Sequence, residues 1–306
     1  MRLVVTGRDG QVTRALQALA GPDLEVVALG RDAFDLAAEG DATAVFAQAR
    51  PDVIVNAGAY TAVDKAESER ELAFAVNGRG AGRVARAAAA LNVPVIQIST
   101  DYVFDGSGEK PWREEDAVGP LGAYGASKSA GEEAVRAATP NHAILRTSWV
   151  YAPWGANFVK TMLRLAQTRP ELQVVADQWG APTSALDIAE AVVAVARHLL
   201  ARPHDATLRG VFHMTAQGET TWADFAREIF AQSAAQGGPS ANVVSIPTSG
   251  YPTPAKRPAN SRLSTQKLAD AHGVRLPHWR DGLKRVMAAM AEGERQSAAS
   301  PGQPPG

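Results

Sequence analysis

Tyr124 and Lys128 stand four residues apart in the run Ala123-Tyr124-Gly125-Ala126-Ser127-Lys128. At the start of a helix this spacing puts both side chains on one face, one turn apart. An ammonium beside a phenol favours the phenolate and is expected to draw its pKa down from about 10. Such a phenol can give or take a proton while a neighbouring carbon gains or loses a hydride. Thr100, at the end of the apolar run Val93–Ser99, is expected at the carboxyl end of a strand. Its hydroxyl could donate to a ketone oxygen as negative charge builds there, or could cap a turn with Asp101.

These groups need a scaffold that brings them to one cleft. Apolar runs at Arg2–Thr6, Glu25–Leu29, Val53–Asn56, Val93–Ser99 and Ala143–Ser148 read as strands. Between them Gln11–Ala20, Thr43–Ala49, Glu71–Leu91 and Ser127–Ala138 carry helical patterns. Alternating strands and helices predict parallel pairing with right-handed crossovers. The expected fold class is therefore α/β: a Rossmann-type doubly wound parallel sheet over 1–150, to which some later segments return. A smaller, mostly C-terminal α/β substrate-binding domain is expected over 151–296. Within it, Asn157–Gln167, Ala185–Leu200 and Trp222–Ala235 are predicted helices, and Asp281–Glu292 the last one. The polar, Pro- and Gly-rich residues 297–306 are expected to form a disordered tail.

Leu3-Val4-Val5-Thr6-Gly7-Arg8-Asp9-Gly10-Gln11-Val12-Thr13 reads as strand, turn and helix start. Gly7 permits the tight turn, and Gly10 lets backbone approach a pyrophosphate at the helix N-terminus. Where a third glycine would close the GxxGxxG spacing, this chain has Thr13, which must be fitted where helix meets sheet. Arg31 follows the second strand and either suits the 2′-phosphate of NADP, which leans the cofactor towards NADPH over NADH, or is an ordinary solvated surface charge.

The chain has 306 residues, 45% hydrophobic and 21% charged, with a net charge of −1, which offers nothing to nucleic acid or an anionic membrane. It has no cysteine, which excludes disulfides, thiolate catalysis and Cys-based metal sites. The six His show no metal-ligand spacing, and no metal is predicted. With no secretory pattern at the N-terminus and no sufficiently long apolar stretch, a cytoplasmic location is expected.

Longer motifs add specificity. Asp35-Leu36, Asn56-Ala57-Gly58-Ala59-Tyr60-Thr61-Ala62-Val63-Asp64, Ser99-Thr100-Asp101-Tyr102-Val103-Phe104-Asp105-Gly106 and Arg146-Thr147-Ser148-Trp149-Val150-Tyr151 occur in order. Asp177-Gln178-Trp179-Gly180-Ala181-Pro182-Thr183, Tyr251-Pro252-Thr253-Pro254 and Arg257-Pro258-Ala259-Asn260-Ser261-Arg262-Leu263 follow. With these, the chain resembles the dTDP-4-dehydrorhamnose reductase branch of the extended short-chain dehydrogenases/reductases. The resemblance implies reduction by NAD(P)H of the C4 ketone of dTDP-4-dehydro-β-L-rhamnose. It implies that Gly10, Gln11 and Val12 hold the pyrophosphate, Asp35 and Leu36 lie near adenine, and Ala59, Tyr60 and Thr61 line the nicotinamide ribose. Thr100, Tyr124 and Lys128 would form the catalytic triad, and Thr100, Asp101 and Trp149 would touch the nucleotide-sugar. Trp149 suits a core role as well as stacking on a thymine ring. Arg257, like Arg262, is a candidate for the substrate diphosphate or an ordinary surface charge.

Some members of that family are dimers bridged by Mg²⁺ held on carboxylates. The aligned positions here are Ala15 and Leu186, which cannot ligate a hard cation, so that form of homodimer becomes doubtful. Related folds also serve as epimerases, dehydratases and a non-catalytic NADP-binding regulatory subunit of methionine adenosyltransferase. The intact Thr100–Tyr124–Lys128 set favours catalysis.

Overall fold

A computed structural model describes residues 1–299. Six parallel strands, β1 (Arg2–Thr6), β2 (Glu25–Leu29), β3 (Val53–Asn56), β4 (Val95–Thr100), β5 (His142–Thr147) and β6 (Gly210–His213), form the central sheet. Their spatial order is β6-β5-β4-β3-β1-β2, so the direction of winding reverses between β1 and β3. The first three strands have the predicted bounds. β4 and β5 are shifted by a residue or two, which makes Thr100 the last residue of β4.

Side chains alternate across the sheet and both faces are dry. Leu3, Val5, Val53, Val55, Ile96 and Leu145 share one apolar core with helices α1 (Gln11–Ala18) and, later in the chain, Ala185–Ala201. Val4, Ile54, Val95 and Ile144 face the other core, which includes Phe46 of α2 (Thr43–Ala49) and Val84 of α3 (Ala81–Ala90). Val135 of α4 (Ala123–Ala138) packs there too.

Beyond β5, α5 (Phe158–Ala166), α6 (Ala185–Ala201), α7 (Trp222–Ala234), α8 (Gln266–His272) and α9 (Trp279–Ala299) follow one another; α6 and α8 return to the first core under the sheet, whereas α5, α7 and α9 build a second core away from it. Val159, Leu172, Phe225, Ile229, Trp279 and Leu283 form it. A parallel pair, Glu171–Val175 with Asn242–Ile246, completes this region. The predicted tail starts inside α9, which continues through 297–299; its remainder, 300–306, lies outside the described residues. Among the described residues, no helix is long and apolar enough to cross a membrane.

The stretch Glu71–Leu91, predicted as one helix, is broken into Arg70–Phe74, a π-helical turn over Ala75–Gly80, and α3. Gly78 and Gly80 weaken the α-helical ladder here, and such a bulge redirects side chains. It also brings this segment against α4. A Cβ placed on Gly131 of α4 would fall inside the contact radius of the Asn77 carbonyl oxygen, so the two elements touch backbone to backbone. Gly131→Ala should therefore lower stability by about 2–3 kcal/mol through overpacking. Chemical denaturation should show an earlier midpoint with an unchanged m-value.

Candidate active site

The turn after β1 and the turn after β3 meet where the winding reverses, the place where α/β sheets bind ligands. Gly7 adopts φ 83° and lies so close to Gly58 that a Cβ on it would come within 2.7 Å of the Gly58 Cα. Gly10 is the N-cap of α1 and gives that end no side-chain cap, so the N–H groups of Gln11, Val12 and Thr13 remain free for an anion. Thr13 fits because its hydroxyl donates to the Thr6 carbonyl at 3.3 Å, with the side chain fully buried between helix and strand. Gln11 ties this turn to the second core. Its amide oxygen accepts from Asn157 at 3.0 Å and its carbonyl from the Trp154 indole at 3.2 Å.

Past β2, Arg31 is exposed. Beside it, Arg8 and Asp32 pair at 3.1–3.2 Å, which draws the Asp32 carboxyl below its usual range through the Arg8 hydrogen bond. Asp35 is exposed, whereas Leu36 is buried against Gly58 and Gly80. Ala59, Tyr60 and Thr61 follow β3 in an open loop. Asn77, in the π-helical turn, grips this loop: its Oδ1 accepts from Tyr60 N at 2.8 Å and its Nδ2 donates to Tyr60 O at 3.0 Å. The same Nδ2 donates to Ser127 Oγ at 3.0 Å, and Ser127 donates to the Tyr124 carbonyl at 2.7 Å. Asn77 thus couples the expected ribose loop to α4. Its signal in the sequence was an Asn among glycines in mid-helix, a poor helix former with two donors and an acceptor to place.

Thr100, Tyr124 and Lys128 come together at the carboxyl end of β4. Thr100 caps the short 3-10 turn Asp101–Val103, accepting from Tyr102 N at 3.2 Å, and donates to Asp101 Oδ1 at 3.0 Å. The turn-cap reading of Thr100 is thus realised, on a residue that also faces the phenol. Tyr124 is half-buried, edge-on to Tyr102 with ring centroids 5.5 Å apart, and its phenol lies near the Thr100 hydroxyl. Lys128 is buried, and its Nζ donates to the Ile98 carbonyl at 2.7 Å.

The electrostatics correct the sequence expectation. Burial, reinforced by the Asp101 charge, pushes the Tyr124 phenol up to about 12, against the opposing pull of the nearby Thr100 hydroxyl. The expected depression by Lys128 is absent because the ammonium points to the strand carbonyl instead. Burial also lowers Lys128 to about 8, with Glu132 opposing the drop. Asp101 is driven up to about 6 by burial, and among the described residues its Oδ2 has no hydrogen-bond partner.

Trp149 sits at φ 49°, a costly conformation for a bulky residue, and stacks on Trp222 with centroids 3.6 Å apart. Its indole also lies against the Gly180 backbone. Arg257 does not stand free for a diphosphate: its Nη1 and Nη2 donate to Asp64 at 3.1 and 2.8 Å. Asp64 also accepts from Ala255 N at 3.2 Å, so the Pro-rich loop is tied to the segment following β3. Asp64 was missed because its partner lies 193 residues away. Arg262 is likewise engaged, with Asn260 at 2.8 Å and Glu219 at 3.4 Å.

Ala15 is buried and Leu186 packs against the same apolar core, where α1 meets α6. Among the described residues, no group of three or more His, Asp or Glu is placed to hold a metal ion.

The sheet order, the glycine turn at the winding reversal and the Tyr124–Lys128 helix define a Rossmann-type enzyme of the extended short-chain dehydrogenase/reductase kind. More narrowly, the chain belongs to the dTDP-4-dehydrorhamnose reductase family, whose model, described as the RmlD substrate binding domain, matches residues 1–292; it is an oxidoreductase. It is 53% identical over 295 residues to a dTDP-4-dehydrorhamnose reductase of Sinorhizobium fredii, covering 96% of this chain and 99% of that one. To the Escherichia coli K12 reductase it is 44% identical over 294 residues, covering 94% and 97%. The solved structure of a Bacillus anthracis dTDP-4-dehydrorhamnose reductase in complex with NADP superposes with a TM-score of 0.86 at 35% identity, covering 94% of this chain and 99% of that one.

The Asp64–Arg257 pair is partly solvated, with side-chain exposures of 40% and 27%, so its net worth is modest. A double-mutant cycle with Asp64→Ala and Arg257→Ala should give a coupling of about 1 kcal/mol by denaturation, weakening as salt is added.

Proposed function

We propose that this chain reduces the C4 ketone of dTDP-4-dehydro-β-L-rhamnose to the alcohol of dTDP-β-L-rhamnose, with NADPH preferred to NADH. The observation that carries this reading is the meeting of Thr100, Tyr124 and Lys128 at the strand edge in a chain of this family. The side-chain-free cradle of Gly7, Gly10 and the uncapped start of α1 suits a dinucleotide pyrophosphate. When bound there, the reduced nicotinamide supplies the hydride.

The protein's own groups handle the proton and the charge. With its pKa near 12, Tyr124 is a neutral phenol across the working range, ready to donate to the oxygen that gains charge. Thr100 offers a second donor to that oxygen once it turns from Asp101. Lys128 spends one donor on Ile98, leaving two N–H groups for ribose hydroxyls. Asp101 and Trp149 are assigned to the nucleotide-sugar. Arg257 spends Nη1 and one N–H of Nη2 on Asp64, Thr253 and Ala255, so its part is to hold the Pro-rich loop in place while Nε and the second Nη2 hydrogen remain for the diphosphate. Gln11 and Val12 serve the pyrophosphate, Asp35 and Leu36 the adenine side, and Ala59, Tyr60 and Thr61 the ribose side.

Incubation with the keto-sugar and NADPH should consume the reduced cofactor. No consumption with authentic substrate, together with recovery of a stoichiometric protein partner, would reverse the reading toward a regulatory subunit. Tyr124→Phe should lose ~10²–10⁴-fold in turnover and keep most of its NADPH-induced thermal stabilisation. Because Lys128 must stay an ammonium and carries a pKa near 8, kcat/KM should hold below that pH and fall above it. Tyr124 does not set this limb, since its phenol keeps its proton far beyond it. Arg31→Ala should reduce the preference for NADPH over NADH by ~10-fold, the value of one charge-assisted hydrogen bond.

A further inference from the structure

Glu132 lies one turn beyond Lys128 on α4 and is almost wholly enclosed, with a side-chain exposure of 1%. Its Oε1 accepts from Ser99 Oγ at 2.6 Å and from Arg146 Nε at 2.9 Å, and its Oε2 from Arg146 Nη2 at 2.7 Å. Arg146 is itself 3% exposed and lies over the Phe104 ring at 5.0 Å. Ser99 and Arg146 are register partners across β4 and β5, so one carboxylate clasps both strands from the helix side. The neighbours of Ser99 along β4 are Ile98, whose carbonyl holds the Lys128 ammonium, and Thr100. Thr100 therefore adjoins the residue that Glu132 holds, and Tyr124 lies one turn before Lys128 on the same helix.

We propose that Glu132 is a positioning residue: it fixes the register of α4 on β4 and supplies the counter-charge that keeps buried Lys128 an ammonium. This rests on the reductase reading given above. The charge balance supports it. Arg136, 40% exposed, also approaches Glu132 Oε2 at 3.5 Å from the outer side of the helix. The enclosed groups Lys128, Arg146 and Glu132 together carry +1; without the carboxylate two buried cations would share one interior, which favours loss of the lysine proton. Other titratable groups facing Lys128 do not replace it. Tyr124 on the same helix stays neutral, Asp101 beyond β4 accepts from Thr100, and His213 on β6, behind Arg146, is held neutral by burial and by that arginine. Glu132 is accordingly the group that opposes the fall of Lys128 towards 8.

Glu132→Gln keeps the shape and an acceptor for Ser99 while removing the charge. Its kcat/KM limb should move down by ~1 pH unit or more, with ~10-fold loss of kcat at the original limb and little change in KM. Glu132→Asp keeps the charge but shortens the reach. It should leave the limb near its place while lowering kcat, because the register is lost. Titration of the Lys128 Nζ by NMR of ¹⁵N-lysine-labelled protein, assigned with Lys128→Arg, reads the same shift without substrate. An unmoved titration in Glu132→Gln overturns the inference even if the wild type turns over. If the wild type shows no turnover but the titration moves, the reductase reading fails and the inference on Lys128 stands. Should Glu132→Gln not fold, Glu132→Gln/Arg146→Met removes the partner charge as well, and a smaller shift in the same direction is expected; no shift overturns the proposal.

Discussion

The seat of helix α4 on the end of strand β4 is the constraint on which the cleft depends. One donor of Lys128 and one carboxylate of Glu132 reach consecutive residues, Ile98 and Ser99, of that strand. The next residue is Thr100, and the phenol it faces belongs to the same helix. A small slide of α4 would therefore carry Tyr124 and Lys128 away from Thr100 together. The backbone approach at Gly131 and Asn77 prevents such a slide from the opposite side. The site is thus specified by close packing between two rigid elements more than by its loops.

Burial decides the protonation states there. Near the strand edge the phenol is raised, the ammonium lowered and Asp101 raised, each toward its neutral form. All three shifts have desolvation as their leading cause, which is what a water-poor cleft imposes on any charge it encloses. The simple picture of an ammonium depressing a phenol one turn away omits this, because helix spacing fixes which face a side chain leaves from but not where its tip ends. Lys128 has a long stem, and a carbonyl on the neighbouring strand competes for its charge.

Much of the scaffold was legible in the sequence. The alternation of short β-branched runs with longer helical patterns marks a doubly wound sheet, and β1, β2 and β3 fall on the residues the apolar runs predict. Gly7 and Gly10 mark the tight turn between β1 and α1 because backbone geometry there leaves little room for side chains. Interactions between distant segments were not legible. The Thr13 hydroxyl bonding back to Thr6 resolves an apparent misfit that local pattern could only flag. The π-helical turn around Asn77 interrupts a stretch whose apolar periodicity reads as one continuous helix. Arg257 reads as a free cation until the chain brings Asp64 to it.

Strand β6 enters the sheet only after the chain has left it for some sixty residues, pairing alongside β5 from Gly210 to His213. The sheet thus borrows its outer border from the later half of the chain. A fragment cut soon after β5 would bare the main-chain donors and acceptors of Ala143–Arg146 along a fully apolar-backed edge, an invitation to pair with other molecules. The sheet and the second core are consequently interleaved along the chain, and neither is a separable cassette.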